Sequence, residues 1–311
     1  MTSALLSFWI IIFCILTGYL LARVKVVQPG VDRTLTQIAF NSTLPALLFM
    51  TVGESDPSMF FSRGSLANIL SATLIACLYG VVGRYLLNIR GTKLTIGTLA
   101  ASYTNVGNLG IALLLAITND ASTAAPILLF QIVVMVPVFF AILDHQTGRE
   151  GAGIWRVLLT RLRNPLLLAV LAGLVVSVAG WTIPDVVAGP ARMLGQANVP
   201  IILMAMGISI RGAHVPRLGR ESGALFLAVA LRCLAGPLTV FLLGSAMGVT
   251  GHHLLSITIV GAFPTANNIF VYAHRYNSDV DLARDSILIT TGLCLAVMLV
   301  ISTLFRAAGV V

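Results

Sequence analysis

Residues 102–110 read SYTNVGNLG and residues 261–270 read GAFPTANNIF, and each stretch lies in the middle of a long apolar run. Asn and Gly are poor helix formers, and Pro264 lacks the backbone N–H that a helix interior needs. Both stretches therefore predict a break within a membrane-spanning helix. In hydrocarbon, the backbone groups freed at a break need partners, so breaks persist only where they are buried in protein or line a wet cavity.

The composition of the whole chain is typical of a membrane protein. Of 311 residues, 58% are apolar and 10% are charged, against roughly 25% charged residues in an average soluble domain. This balance excludes a soluble enzyme, a secreted disulfide scaffold and a disordered protein. An embedded enzyme would need a motif such as His-Glu-x-x-His or paired intramembrane carboxylates, and the sequence has neither. The four cysteines lie in apolar runs without metal-ligand spacing, so we expect packing roles and no metal site.

Apolar runs separated by helix breakers predict ten transmembrane helices, with the two breaks in the fourth and the ninth. The predicted spans are about 4–22, 34–53, 65–88, 94–118, 123–143, 165–183, 191–210, 222–247, 252–273 and 284–305.

The basic residues predict how these helices are oriented. If the N-terminus faces outside, 15 of the 19 Lys and Arg residues fall in inner loops, three fall on the outer side, and Arg232 lies within the eighth span. The positive-inside rule then places both termini outside the cytoplasm, in a cell (inner) membrane. The net charge of +8 is explained by the Lys and Arg residues that a membrane protein concentrates in its cytoplasmic loops, so we expect the lipid bilayer, and no nucleic acid, as a partner. Residues 153–164 predict an amphipathic helix on the inner leaflet.

The two halves of the chain match one another at a shift of 155 to 160 residues, as Pro45 and Pro200 illustrate. This predicts two five-helix repeats, residues 1–143 and 165–311, joined by a cytoplasmic loop at 144–164. Because five is odd, the second repeat must be inverted in the membrane. Inverted repeats with broken helices are a recurring architecture of secondary transporters.

Two breaks at corresponding positions of two repeats favour a binding site over simple kinks or helix-packing contacts. The N-terminus of a half-helix presents N–H groups and a positive dipole end, which suit a carboxylate. Asn side chains add donors and acceptors without a fixed charge, while Gly and Pro shape the breaks. The candidate binding residues at the breaks are Asn105, Gly107, Asn108, Gly110, Pro264, Thr265, Asn267 and Asn268.

Three further polar residues lie deep in other spans. Arg232 is costly at mid-membrane, so it either attracts an anionic substrate or binds carbonyls freed at a broken helix. Asn41 either bonds within its own helix or lines the site, and we favour the site because Pro45 opens that helix. Gln131 is expected to form a helix–helix hydrogen bond.

Three motifs resemble the auxin efflux carrier family in its compact bacterial form: NSTLPALLF at 41–49, NVGNLG at 105–110 and PTANNIFVYA at 264–273. The resemblance extends over essentially the whole chain. It implies crossing broken helices, an elevator-like transport domain moving against a scaffold, and transport of small organic anions such as carboxylates. It also implies a homodimer, which occurs among plant members. Family members often have Pro where Ala112 stands here, and the long soluble loop of many plant carriers is absent.

All eleven acidic residues fall in predicted loops or at helix ends. Intramembrane Asp or Glu is the usual proton relay, so the sequence predicts no cofactor and no carboxylate-based coupling to sodium or protons. A uniporter-like carrier is the simplest hypothesis. The alternative is a sodium-coupled symporter of the bile-acid-symporter type, in which backbone carbonyls and Asn or Ser side chains would hold the ion.

Overall fold

The protein is almost entirely helical wherever its structure is described. The computed structural model describes residues 2–54, 62–106, 110–118, 122–147, 165–211 and 222–309. In these ranges the one β-type contact is an isolated antiparallel bridge between Thr104 and Thr265. Large apolar side chains such as Trp9 and Phe13 are exposed on the helix surfaces, as expected where lipid surrounds the protein. The chain is an all-α, multi-pass membrane protein, as its composition predicted.

The first half of the chain forms eight α-helices within the ranges that the structure describes. Their bounds are α1 Thr2–Arg23, α2 Val31–Ile38, α3 Leu44–Gly53, α4 Arg63–Tyr85, α5 Gly91–Ser102, α6 Ile111–Thr118, α7 Ala125–Phe130 and α8 Val136–Gln146. A short 3₁₀ turn at Ser122–Ala124 precedes α7.

The second half forms seven α-helices in the described residues. Their bounds are α9 Pro165–Ala179, α10 Asp185–Ile210, α11 Ser222–Ala230, α12 Gly236–Ala246, α13 Gly251–Gly261, α14 Asn268–Tyr276 and α15 Val280–Ala307. Residues 148–164 lie outside the described residues, and so does the interfacial helix predicted over 153–164.

Six helices of the described ranges are long and apolar enough to cross a membrane. They are Val31–Gly53, Arg63–Tyr85, Pro126–Gln146, Asp185–Ile210, Ser222–Ala246 and Val280–Ala307. They coincide with the predicted spans 2, 3, 5, 7, 8 and 10, while shorter apolar helices lie in spans 1 and 6. In spans 4 and 9 the helix is interrupted at the two stretches that the sequence singled out, and each span consists of two short helices.

Some helix ends lie a few residues from the approximate boundaries of the predicted spans. α10 begins at Asp185 rather than at 191, because Pro190 lies near the helix start and removes only one hydrogen bond there. α9 ends at Ala179 rather than at 183, because Gly180 adopts a left-handed conformation with φ 65° that terminates the helix.

Three of the long helices widen into a short π-helix just before a proline. These π segments are Ala39–Thr43 between α2 and α3, Gln131–Met135 between α7 and α8, and Leu231–Ala235 between α11 and α12. A proline follows each segment by two residues: Pro45, Pro137 and Pro237. The proline ring clashes with the carbonyl four residues earlier and has no N–H to donate, and a widened turn relieves both problems.

Close helix–helix contacts arrange these elements into two groups. α1, α3, α9 and α10 pack on one another, and glycines allow their backbones to touch: a Cβ on Gly207 of α10 would overlap the backbone oxygen of Ile15 in α1. α4, α5, α11, α12, α13 and α15 pack together around the two breaks. The breaks therefore lie within the second group and face α3 of the first.

Candidate functional site

The two helix breaks lie side by side and run antiparallel. The backbone N–H of Asn105 donates to the carbonyl of Pro264 (2.8 Å), and the N–H of Ala266 donates to the carbonyl of Tyr103 (3.1 Å). These two bonds flank the bridge between Thr104 and Thr265. Each break therefore satisfies part of the other's freed backbone, which buried polar groups in a membrane require.

Side chains from the fifth and tenth spans supply further partners. The N–H of Thr265 donates to Oγ1 of Thr290 in α15 (3.0 Å). Gln131, with its amide oriented by its hydrogen bonds, donates to the carbonyl of Thr104 (3.1 Å) and accepts from the N–H of Thr104 (2.8 Å). Gln131 is fully buried. The hydrogen bond expected of Gln131 is thus present, and it is made to the break itself.

Arg232 binds the C-terminal ends of the half-helices α5 and α13. Its guanidinium donates to the carbonyl of Gly261 and, over 3.5 and 3.4 Å, to the carbonyls of Ala101 and Ser102. The side chain is 3% exposed, and no carboxylate of the described chain pairs with it. These contacts correspond to the second role that the sequence left open, binding of carbonyls freed at a broken helix.

A cavity of about 200 Å³ lies at the crossing of the two breaks. We call it the crossing cavity. It is bounded by both breaks, by α3 and by the fifth span. Its lining residues are Leu47, Leu48, Thr51, Tyr103, Thr104, Asn105, Val106, Leu128, Ile132, Ala266 and Asn268.

Two asparagine amides at the breaks are buried without a hydrogen-bond partner among the described residues. They are the amide nitrogens Nδ2 of Asn105 and Nδ2 of Asn267, whose residues are 3% and 2% exposed. The amide oxygen of Asn268 is also buried without a described partner. An unpaired buried polar group costs about 1–3 kcal/mol, so such an amide is stabilised when a ligand bonds to it. Asn105 lines the crossing cavity, whereas Asn267 does not border it.

The other predicted break residues lie at or beside this cavity. Asn268 lines it from the first turn of α14, and Pro264 and Thr265 form the crossing backbone. The N–H of Gly110 donates to the carbonyl of Asn105 (2.9 Å). A Cβ at Gly110 would come within 2.7 Å of that carbonyl oxygen, so glycine is required there. The candidates Gly107 and Asn108 lie outside the described residues.

Asn41 lies away from the crossing cavity. Its Nδ2 donates to the carbonyl of Gln37 in its own helix (2.8 Å). The residue lines a second cavity of about 150 Å³, together with Arg33, Thr36, Gln37, Phe40, Val271, His274 and Arg275. We call it the basic cavity. Asn41 precedes the cavity-lining Leu47 by six residues, which is about 9 Å along a helix. The structure thus shows the local bond, and it does not place Asn41 with the other candidates.

A chain of aromatic rings separates the two cavities. Phe40 of the basic cavity stacks on Phe140 (centroids 6.1 Å apart), and Phe140 meets the edge of Tyr272 (4.8 Å). Tyr272 in turn contacts Tyr103 of the crossing cavity (6.4 Å). These four side chains are at most 4% exposed. In this structure the space between the two cavities is therefore filled by rings.

Carboxylates lie away from the crossing cavity. No Asp or Glu side chain is buried in the part of the chain that the structure describes. Asp281 and Asp285 each contact Arg284 at 2.8 Å near the start of α15. The same residues contain no cluster of three or more His, Cys, Asp or Glu that could hold a metal ion.

Nearly the whole chain matches the family described as "Membrane transport protein", over residues 4–151 and 154–302. The chain belongs to this family, the auxin efflux carriers. The resemblance read from the three sequence motifs is thereby confirmed, and the protein is a membrane transporter.

Two bacterial relatives of this auxin efflux carrier family member cover most of its length, whereas a plant relative covers less than half of it. The uncharacterized transporter YfdV of Escherichia coli K12 is 24% identical over 86% of either chain. A putative malonate transporter of Rhizobium meliloti is 24% identical over 99% of this chain and 97% of its own. A probable auxin efflux carrier component 5c of Oryza sativa subsp. japonica is 25% identical over 44% of this chain and 38% of its own.

Sequence reasoning did not find the apolar walls of the crossing cavity or the role of Thr290 in this family member. Leu47, Leu48 and Ile132 resemble any other apolar residues of a membrane helix. Thr290 carried no signal by itself. Gln131, in contrast, could be found from sequence, because it is a polar side chain deep in an apolar span.

Proposed function

We propose that this transporter is a carrier for small organic anions such as carboxylates, which bind in the crossing cavity. The observation that carries the proposal is the buried Nδ2 of Asn105, a hydrogen-bond donor without a described partner in the cavity wall. A carboxylate oxygen would accept from it. A charge-assisted bond of this kind is stronger than one between neutral groups.

The electrostatics of the crossing cavity also favour an anion. α14 begins at Asn268 on the cavity wall, and a helix N-terminus carries roughly half a positive charge. The lining side chains include no carboxylate, and the basic cavity on the far side of the aromatic rings contains Arg33 and Arg275. The name of the Rhizobium relative, a putative malonate transporter, supports a small carboxylate as the class of substrate.

The proposal includes the architecture that the sequence predicted, ten helices in two inverted five-helix repeats, residues 1–143 and 165–311. Corresponding contacts support it. Thr104 and Thr265 are 161 residues apart and each form the centre of a break. Gln131 and Thr290 are 159 residues apart and each bind one of these threonines. Two halves related in this way would hold the substrate between them.

Alternating access would come from the group around the breaks moving against α1, α3, α9 and α10. The crossing cavity supports this mechanism because α3 forms one wall and the breaks form the other. Sliding of the breaks along α3 would carry a bound anion with them. The rings of Phe40, Phe140 and Tyr272 would have to part for release toward the basic cavity.

Counterflow in liposomes tests the proposal. Purified protein would be reconstituted, loaded with one unlabelled mono- or dicarboxylate, and exposed to the same labelled anion outside, in sodium and in choline buffers. We expect labelled malonate or a similar small carboxylate to accumulate transiently, and protein-free liposomes not to accumulate it. No counterflow of any carboxylate, by protein shown to be folded, would contradict the proposed substrate class. Counterflow only in sodium would favour the symporter alternative.

A further inference from the structure

Two helix C-termini converge on one buried side chain. α5 ends at Ser102 and α13 ends at Gly261, and the carbonyls at these ends point to the guanidinium of Arg232. Each helix C-terminus carries roughly half a negative charge. Two such ends facing one point in a low-dielectric environment make a site for a cation, and half-helix C-termini hold Na⁺ or H⁺ in other broken-helix transporters.

Arg232 fills this place from the neighbouring helix. It lies in the π segment Leu231–Ala235, directly before α12, and is 3% exposed. A Cβ on Gly236 would come within 2.6 Å of Nη2 of Arg232, so the guanidinium packs tightly against α12. The remaining void beside it is about 10 Å³, which is about the space of one water molecule. A second cation in this void would lie directly beside the guanidinium, and the two like charges would repel one another.

The charge of Arg232 is balanced by these helix ends. No carboxylate of the described chain forms an ion pair with Arg232, and no described carboxylate is buried. The carbonyls of Ala101, Ser102 and Gly261 are its hydrogen-bond acceptors. The partial negative charges at the two half-helix C-termini therefore balance the positive charge of the guanidinium.

We infer that the Arg232 guanidinium is the resident cation of the crossing, bound where a sodium-coupled carrier would bind its ion, so that this protein works without sodium. The consequence for coupling rests on the proposed anion transport. That Arg232 occupies the cation site does not depend on anion transport, and it can be tested by measuring protein stability.

Removing the guanidinium should create an oxygen-lined hole. Gly261, Ser102 and Ala101 would leave carbonyl oxygens, and Asn68 and Ser71 already line the adjoining void. Oxygen ligands are those that hard cations prefer. An Arg232→Ala protein should therefore bind Na⁺ at the place of the lost side chain, while Arg232→Lys should keep its own cation and need none.

Thermal unfolding of the purified proteins tests the inference. Wild type, Arg232→Ala, Arg232→Lys and Arg211→Ala would be unfolded in NaCl and in choline chloride of equal concentration. Arg211 is the matched control because its guanidinium also binds a helix-end carbonyl, that of Ala22, but at an exposed position. We expect Arg232→Ala to unfold at a lower temperature than wild type in choline, and sodium to raise its unfolding temperature by about 5 °C. The other three proteins should respond equally to both salts.

Two results would overturn the inference: a sodium-specific rise in the unfolding temperature of wild type, or a folded Arg232→Ala protein that does not distinguish the two salts. If Arg232→Ala cannot be purified, Arg232→Gln, which also removes the positive charge, takes its place and the same two results decide. Because no organic anion is present, these outcomes are independent of the proposed substrate. Sodium-independent counterflow by wild type then tests the consequence for coupling, whereas no counterflow at all would contradict only the proposed function.

Discussion

Gln131 shows how one side chain makes a broken membrane helix tolerable. Its amide bonds to both the N–H and the carbonyl of Thr104, at the point where the fourth span loses its helical hydrogen bonds. Water is not at hand to replace these bonds in the core of the protein. Gln131 is thus a polar residue in an apolar helix because it binds backbone groups of another helix.

A Gln131→Leu substitution tests this role. Leucine keeps about the same volume but leaves the N–H of Thr104 without its acceptor, so we expect the protein to lose about 1–3 kcal/mol of stability. Thermal unfolding in detergent measures the loss. Val134 lies in the same π segment at an exposed position, so Val134→Ala should leave the unfolding temperature almost unchanged. Equal unfolding temperatures for Gln131→Leu and wild type would show that Thr104 finds another acceptor.

At the scale of whole helices, close packing of backbones joins α1 to α10. Gly207 and Gly18 lie where the two helices touch, and a Cβ at either position would overlap the backbone of the other helix. Small residues at such interfaces replace the hydrophobic driving force that lipid removes. In the proposed mechanism this pair forms part of the fixed group.

Two glycines of α10 provide a matched test of that contact. Gly207→Ala places a methyl group against the backbone of Ile15, and overpacking of this kind costs about 1–3 kcal/mol. A Cβ at Gly189, on the same helix, meets no described atom within 4 Å, so Gly189→Ala should change stability by about 1 kcal/mol or less. Chemical denaturation of both variants measures the difference. Similar losses for the two would contradict the close contact.

The sequence predicted the helix breaks and indicated Gln131 and Arg232 as bonding residues, but it did not specify which backbone groups they bind. Pro264 and the Asn and Gly residues at 105–110 mark an interruption because the obstacle is local. The bonds from Gln131 to Thr104 and from Arg232 to Gly261 join residues on different helices, and local propensity carries no information on such pairs. The π segments were predictable only in part. Pro45, Pro137 and Pro237 predict a disturbed turn, but the widened form of that turn also depends on packing.

At the scale of the whole molecule, the sequence predicted the fold class because apolar content and charge placement are properties of the entire chain. The predicted spans followed from the apolar runs, and the two interruptions from local Asn, Gly and Pro residues. Asn41 is the instructive exception. The sequence favoured a place in the binding site, but the π segment at Ala39–Thr43 puts it beside Gln37 and the basic cavity. Its position depends on the helix as a whole, which residue type and spacing do not specify.

The proposed orientation has a direct test in bacteria. Alkaline phosphatase is active only outside the cytoplasm, so a fusion after Val311 should be active and a fusion after Thr147, in the predicted cytoplasmic loop, should be inactive. Green fluorescent protein at the same two sites should give the opposite pattern. An active phosphatase at Thr147 would mean that the chain has the reverse orientation, contrary to its distribution of basic residues.

The central claim is that the crossing cavity binds a small organic anion, and direct binding tests it. The labelled carboxylate with the fastest counterflow would be titrated against purified wild type, Asn105→Ala and Asn41→Ala. Because Nδ2 of Asn105 has no described partner, its removal should leave stability intact but weaken anion binding roughly ten- to a hundredfold, as expected for a lost bond to a charged group. Asn41→Ala, outside the crossing cavity, should bind as wild type does. Unchanged binding by Asn105→Ala would contradict the claim.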